Sequence, residues 1–296
     1  RPFGGLAAAT RGSIAQVFAS PGPIYEPAGR GNDWWRLARS LYAAGFRRGD
    51  LVHNCYAYHL TPAGAMLESG ALALGCTVFP GGTGQTELQV QAMADLRPDG
   101  YVGTPSFLRI ILDKADEQGV ALPNLTKAQV SGEPFPPSLR DALKARGIDG
   151  YQVYASADLG SIAYESPARE GLIVDEGVLV EILRPGTGDA VREGEVGEVV
   201  VTTLFNTDYP LIRFGTGDLS AMMPGRSSCG RSNARIKGWM GRADQTTKVK
   251  GMFVRPEQIV EIGKRHSGLG RLLRVVKRSG ESDLMTLKEE TSATGE

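Results

Sequence analysis

Cysteine is scarce. Cys55, Cys76 and Cys229 are the only three in 296 residues. So small and odd a number does not make a disulfide framework, and it fits a reducing, cytoplasmic setting. Net charge is lacking too: 33 Lys and Arg balance 33 Asp and Glu. No nucleic acid and no charged membrane surface is therefore expected as a partner. Apolar runs stay below the ~18 residues needed to cross a bilayer, and no signal peptide opens the chain. Internal repeats and low-complexity tracts are absent. So is an initiating methionine, since the chain begins Arg1-Pro2-Phe3, and a fragment or processed chain is expected on that ground.

What is present is an ordinary globular composition, 41% hydrophobic, long enough for one large domain or a large one plus a small one. The first half alternates helical and strand signals. Residues 33–44 have helical apolar spacing after an Asn/Asp start and end at Gly45. Residues 50–54 read as a strand, 63–74 as a helix capped by Gly75, and 76–79 as a buried strand. A helix at 86–96, a strand at 100–103, a helix at 106–118, a strand at 127–131, a helix at 137–145 and a strand at 151–154 follow. This rhythm implies a parallel sheet with helices on its faces. Ligands then gather in the loops beyond the carboxyl ends of the strands.

From Gly171 the texture changes. Short β-branched strands at 171–183, 197–203 and 209–213, separated by Pro/Gly turns, imply an antiparallel sheet or barrel attached to the α/β part. A helix beginning with proline at 256–262 and strands at 272–276 and 284–287 place a small second domain from about Asp244 onward. The fold class is α/β: a large body of parallel sheet with flanking helices plus an antiparallel β subdomain, residues 1–243, and a small α+β domain, residues 244–296.

Four stretches could carry chemistry. "PLIRFGTGDLS" (210–220) reads as a strand ending in Gly215-Thr216-Gly217-Asp218, which is either a sugar-diol site or a turn with a solvated aspartate. A carboxylate can accept two hydroxyl hydrogens at once. In "GRADQTTKVKG" (241–251), Lys248 and Lys250 share one strand face, which taken alone reads as a basic solvated hairpin. "VSGEPFPPSLRDAL" (130–143) is a strand, a glycine turn and a helix start with free N–H groups, fit for an adenine or phosphate or simply a βα turn. "VFASPGPIYEP" (17–27) has the outline of a phosphate loop. Yet it holds no lysine, and three prolines remove donors an anion would want. His53, Cys55, His59 and Cys76 lack tight tetrahedral spacing and read as structural residues. Cys229 reads as a plain loop cysteine.

Taken in order, these pieces resemble the adenylate-forming enzymes, and among them the phenylacetate–coenzyme A ligase branch. The resemblance is carried by Gly132-Glu133-Pro134, residues 154–158, the run 213–219 and Gly241-Arg-Ala-Asp244 followed by Lys248-Val-Lys-Gly251. Further support comes from "ARSLYAAGFRRGDLVHNCYAY" (38–58), "GCTVFPGGTGQTELQVQ" (75–91), "RPDGYVGTPSF" (97–107) and "GEVGEVVVTTL" (194–204). It covers nearly the whole chain, and family members are longer at both ends. An N-terminal segment and the last part of the small domain are therefore expected to be missing here.

The resemblance implies an acid–thiol ligase using ATP, magnesium and coenzyme A. A small carboxylic acid becomes an acyl-adenylate, which the coenzyme A thiol then attacks. It implies that Ser131, Gly132, Glu133 and Pro134 line the adenine side and that Tyr154 packs on the base. Asp218 and Arg242 would hold the ribose hydroxyls, and Asp244 would be the hinge of a mobile small domain. Asp158 stands where the family carries its magnesium-binding glutamate, with Glu165 as a second acid for that role. Tyr56, Tyr58, His59, Phe79, Pro80 and Gly81 would form an acyl pocket for an aryl or short apolar acid, with the glycines at 81–84 near substrate rather than phosphate. A homodimer is implied as well. The stretch 19–27 occupies the place of the family's phosphate loop but lacks its lysine and threonine, and Glu26 would repel a triphosphate. The alternatives are a divergent ligase that meets ATP with other cations, such as Arg30 or Lys248, a nucleotide- or adenylate-binding homologue without ligase activity, and adenylation for a different acceptor.

Overall fold

The computed structural model describes residues 2–10, 12–20, 24–243, 247–249, 252–254, 256–266, 272–279 and 282–289. Strand β1 (Gln16–Ser20) pairs antiparallel with β2 (Ile24–Ala28), in register from Gln16↔Ala28 to Ser20↔Ile24. The place expected to be a phosphate loop is thus flanked by a hairpin, with Pro21, Gly22 and Pro23 themselves outside the described residues.

The helix expected over 33–44 is shorter, α1 (Ala38–Ala43). Asp33 and Arg36 both have positive φ, at 52° and 61°, and so cannot continue a right-handed helix. The Asp33 carboxylate accepts from the Leu37 and Ala38 N–H groups at 2.8 and 3.0 Å, satisfying donors the helix start leaves open. After β3 (Leu51–Asn54) comes α2 (Ala63–Leu74), which ends on Gly75 at φ 88° as its composition predicts. Strand β4 (Thr77–Phe79) follows; expected to be buried, it is a half-exposed edge strand. Helix α3 (Thr86–Leu96) leads to β5 (Gly100–Gly103) and α4 (Pro105–Glu117). The α4 start is fixed by Pro105 and by the Thr104 hydroxyl accepting from Phe107 N. Then come β6 (Lys127–Val130), α5 (Pro137–Ala145), β7 (Asp149–Ser156), β8 (Gly160–Tyr164) and β9 (Leu172–Val174).

Strands β10 (Val178–Leu183), β11 (Gly197–Thr203) and β12 (Phe214–Ser220) form a three-stranded antiparallel sheet. Residues 209–213 are not the strand expected of them. Tyr209 and Leu211 are buried, but the segment is a loop in which Leu211 is bonded to the Thr203 hydroxyl. The strand begins just after it and runs through the two glycines. Two short strands, β13 (Met222–Met223) and β14 (Arg235–Ile236), complete a nine-stranded sheet of order β13-β14-β9-β8-β7-β6-β5-β3-β4. From β4 to β7 neighbours are parallel; from β7 to β13 they are antiparallel. Beyond residue 246 the described elements are β15 (Thr247–Val249), β16 (Met252–Val254), α6 (Pro256–Arg265), β17 (Leu272–Ser279) and β18 (Ser282–Glu289).

Alternation along the parallel strands builds two cores. Val52, Val102 and Val153 meet α1 and α2 on one face, whereas Tyr101, Ala128 and Val130 meet α3, α4 and α5 on the other. Adjacent residues such as Tyr101 and Val102 therefore belong to different clusters. A third cluster, including Ile162, Val174, Val199 and Leu211, joins the antiparallel sheets. On the α1 side, close approach depends on Gly70, where a Cβ would stand 2.8 Å from Leu37 Cβ and 2.9 Å from Ala38 N. Gly70→Ala is expected to lower stability by about 1–3 kcal/mol through overpacking, read from the urea midpoint. A variant as stable as the parent would mean that α1 yields freely there.

Candidate functional site

The densest polar constellation is centred on Asp218 in β12. Its Oδ2 accepts the Tyr154 hydroxyl of β7 at 2.8 Å. Its Oδ1 accepts Trp239 Nε1 at 3.0 Å and an Arg242 guanidinium N–H at 3.1 Å. Arg242 also donates to the Thr216 carbonyl at 2.9 Å, and Asp218 and Arg242 are backbone bridge partners. The Thr216 hydroxyl donates to Val199 O and accepts from Asp218 N, at 2.8 and 3.1 Å. Three residues expected to act on one nucleotide, Tyr154, Asp218 and Arg242, thus meet at one carboxylate.

The glycines explain why the approach is possible. At Gly217, with φ 71°, a Cβ would stand 2.5 Å from the Arg242 guanidinium; at Gly215 it would stand 2.9 Å from Glu198 Oε1. Glu198 in turn accepts Gly217 N–H at 3.1 Å. The Gly-Thr-Gly-Asp run is therefore not a turn beyond a strand but a strand thinned so that charged side chains can cross it. Burial and the neighbouring Asp218 push the Tyr154 phenol up, which keeps it a donor to the carboxylate at neutral pH.

Ser131, Gly132, Glu133 and Pro134 form the β6–α5 connection, at the carboxyl end of the strand beside β7. Ser131 N donates to Gly103 O, and Glu133 Oε1 accepts Ser106 N at 2.6 Å. The loop is thereby tied to the β5–α4 connection, and the Glu133 carboxylate sits at the N-terminus of α4, where negative charge is favoured. Tyr56 lies beside Ser131 and Glu133, and burial pushes its phenol up. Its buried hydroxyl meets no hydrogen-bond partner of good geometry.

The residues expected to form an acyl pocket divide. Tyr58 accepts Asn54 Nδ2 at 2.8 Å and packs over Gly64 at the start of α2. His59 is exposed. Phe79 lies against the His53 ring, centroids 4.9 Å apart. Gly81 covers a pair that the sequence reading left as structural. His53 Nε2 and Gln89 Oε1 are 2.6 Å apart, and Gln89 Nε2 reaches the Gly81, Gly82 and Gly84 carbonyls. With Gln89 Nε2 donating, its oxygen accepts, so His53 carries its proton on Nε2 and presents a buried Nδ1 without a partner. Burial pushes the His53 pKa down, with Gln89 opposing. Gln89 thus shapes the glycine turn, and the only sequence signal for it was a polar residue on the inner face of an amphipathic helix.

Asp158 occupies the β7–β8 turn, at the carboxyl end of β7, and burial raises its pKa. Glu165 is at the other end of that hairpin, opposite Gln152, whose N–H it accepts at 2.7 Å. Arg140 grips Glu165 in bidentate fashion at 2.8 and 3.1 Å, with Arg169 beside it. Glu165, the second acid expected for the magnesium role, is instead in a structural ion pair anchoring α5 to the sheet, at the far end of the hairpin from Asp158. Asp244 and Lys250 lie outside the described residues. Trp239, Thr216 and Glu198 are the site neighbours that sequence reasoning missed.

Comparison with known proteins gives this arrangement a family. The AMP-binding enzyme profile matches residues 58–207. A phenylacetate–coenzyme A ligase of Aromatoleum evansii is 34% identical over 305 aligned residues, 98% of this chain and 68% of the relative. The chain belongs to the AMP-binding enzyme family, in its phenylacetate–coenzyme A ligase branch. A phenylacetate–coenzyme A ligase of Thermus thermophilus is 33% identical over 98% of this chain and 68% of its own length. The AMP-binding fold is matched in solved structures too. A 2-hydroxyisobutyryl-CoA ligase in complex with 2-HIB-AMP and CoA superposes with a TM-score of 0.81 at 25% identity, over 96% of this chain and 64% of that one. The chain thus spans about two thirds of the length of these AMP-binding relatives.

Proposed function

We propose that this chain carries the adenylating body of an acid–thiol ligase. ATP activates an aryl or short apolar carboxylic acid, and the acyl group then passes to coenzyme A. The single observation that carries the reading is the Asp218 carboxylate, bonded by Tyr154 and Arg242 and set in a chain that belongs to the AMP-binding family. A carboxylate in this position can accept the two ribose hydroxyls, and Arg242 from the opposite backbone holds it in place. The β6–α5 loop, tied by Glu133 to the start of α4, supplies the wall for the base.

The chemistry balances in two transfers. A carboxylate oxygen of the acid attacks the α-phosphorus and pyrophosphate leaves. The thiol sulfur then attacks the acyl carbon, the thiol proton passes to solvent, and AMP leaves. Adenylation replaces an oxide, a poor leaving group, by a phosphate ester, while the protein mainly positions the reactants and stabilises charge. A divalent cation, when bound, offsets phosphate charge, and the hard oxygen of Asp158 suits it. Proposed with this reading are a cytoplasmic setting, a homodimer, and residues 244–296 as a lid over the nucleotide.

Pyrophosphate release by the full protein over a panel of aryl and short-chain acids tests the proposal. Release that needs both acid and ATP, followed by a thioester that needs coenzyme A, is the expected result. Tight AMP binding with no acid-dependent release would instead support an adenylate-binding homologue, the reading favoured by a loop with Glu26 and no lysine. Release without coenzyme A transfer would point to another acceptor.

A further inference from the structure

The carboxylate proposed to hold the ribose is already crowded with protein donors. An ionised carboxylate offers about four lone-pair sites, two on each oxygen. Asp218 Oδ1 accepts both Trp239 Nε1 at 3.0 Å and Arg242 at 3.1 Å. Oδ2 accepts the Tyr154 hydroxyl at 2.8 Å. Oδ1 is thus full, and Oδ2 can take one donor more. A ribose that binds through both hydroxyls brings two, so one protein donor has to give way.

The protein donors are not equally held. Arg242 also donates to the Thr216 carbonyl at 2.9 Å, and its backbone bridges that of Asp218. Tyr154 packs from β7 against the third core cluster. Trp239 is 46% exposed, and its indole makes no other hydrogen bond among the described residues. Its backbone is fixed on both sides. Gly238 O accepts the Ser220 hydroxyl at 2.7 Å, Met240 N donates to Leu219 O at 2.8 Å, and Gly241 O accepts Leu219 N at 2.9 Å. Freedom at Trp239 therefore lies in its side-chain torsions, which turn over rapidly in exposed residues. The indole can swing off Oδ1 while the pairing that places Asp218 and Arg242 stays intact.

We propose that Trp239 is a place-holder for the ribose: its indole N–H occupies, on Asp218 Oδ1, the acceptor site that one hydroxyl of a vicinal diol takes over. A ribonucleotide displaces the indole. A deoxyribonucleotide, with a single hydroxyl to offer, is served by Oδ2 and leaves the indole bonded. Trp239 thus acts on the choice between the two sugars through the carboxylate rather than by touching the base. The inference deepens the ribose assignment to Asp218 and rests on it.

Proton–nitrogen NMR of the full protein, labelled at tryptophan, reads the indole N–H directly. Of the signals from three tryptophans, the one lost in Trp239→Phe belongs to Trp239. At saturating AMP it is expected to exchange faster with water, as its bond to Oδ1 is released; with deoxy-AMP its rate should stay unchanged. Calorimetry supplies a second readout. Trp239→Phe removes the competing donor, so it should bind AMP about three- to tenfold more tightly than the parent, the factor of one net hydrogen bond. Its affinity for deoxy-AMP should match the parent's. Because the side chain is exposed, the variant should melt with the parent. An indole N–H that AMP does not release, or that deoxy-AMP releases equally, would overturn the proposal and leave the ribose assignment standing. AMP binding no tighter in Trp239→Phe would do the same, and weaker binding would make the indole a wall of the nucleotide site. Unchanged AMP affinity in Asp218→Ala would overturn the ribose assignment and the place-holder together.

Discussion

Asp218→Ala is expected to weaken AMP and ATP binding by roughly 10²- to 10⁴-fold while the chain still folds. The size follows from two charge-assisted hydrogen bonds to ribose hydroxyls, at about 1.5–3 kcal/mol each, with about 1.4 kcal/mol to each factor of ten. The fold survives because the pair with Arg242 is partly wet, with side chains 19% and 20% exposed. Such pairs contribute about 1 kcal/mol or less. Trp239→Phe removes a donor to the same carboxylate but no acceptor for the ribose, so it should change affinity much less. Calorimetry with AMP on both variants is the measurement. Normal affinity in Asp218→Ala, with a normal melting temperature, would place the ribose elsewhere.

Local patterns carried much of the fold. The α2 helix was legible from its apolar spacing and a glycine whose left-handed φ ends it, and α5 from a proline at its first turn. Both signals act within a few residues. The segment 209–220 misled because burial and strand pairing part company there. Tyr209 and Leu211 are apolar and buried, yet their backbone is bonded to Thr203, whereas the glycines that resemble a turn extend the strand. The resemblance named Tyr154 and Asp218 together, and the structure brings them into contact. What could not be read were pairings across the chain whose partners have no pattern of their own. Glu165 looked like a second metal acid because it follows Asp158 closely in sequence, but a β-hairpin puts residues seven apart at its opposite ends. Glu26 looked like a charge facing a bound triphosphate and is buried, accepting the Ser20 hydroxyl.

Arg36→Ala is expected to cost about 3–5 kcal/mol of stability, because it leaves a buried charge without its partner. Asp175 has a side chain only 1% exposed. Its Oδ1 accepts Arg36 Nε at 3.1 Å and Gly177 N at 2.8 Å, and its Oδ2 has no partner. The same guanidinium donates to the Leu159 and Ser161 carbonyls at 2.6 and 2.9 Å. One arginine therefore ties the turn that carries Asp158 to the loop after β9. The sign with pH is fixed. Burial already raises the Asp175 pKa, with the Gly177 N–H and Arg36 opposing; without Arg36 it rises further above its unfolded value. A carboxyl raised in the folded state adds stability at low pH that is lost as pH rises through its folded pKa. The gap between parent and variant should therefore narrow toward acid and widen toward neutrality. Asp175→Asn in the Arg36→Ala background should recover part of the loss at neutral pH, since the amide carries no charge. Urea midpoints for the two variants at pH 5 and pH 8 decide it. A loss under about 1 kcal/mol at pH 8, the range of an exposed pair, would mean that water reaches Asp175 and that the turn holding Asp158 is fixed by something else.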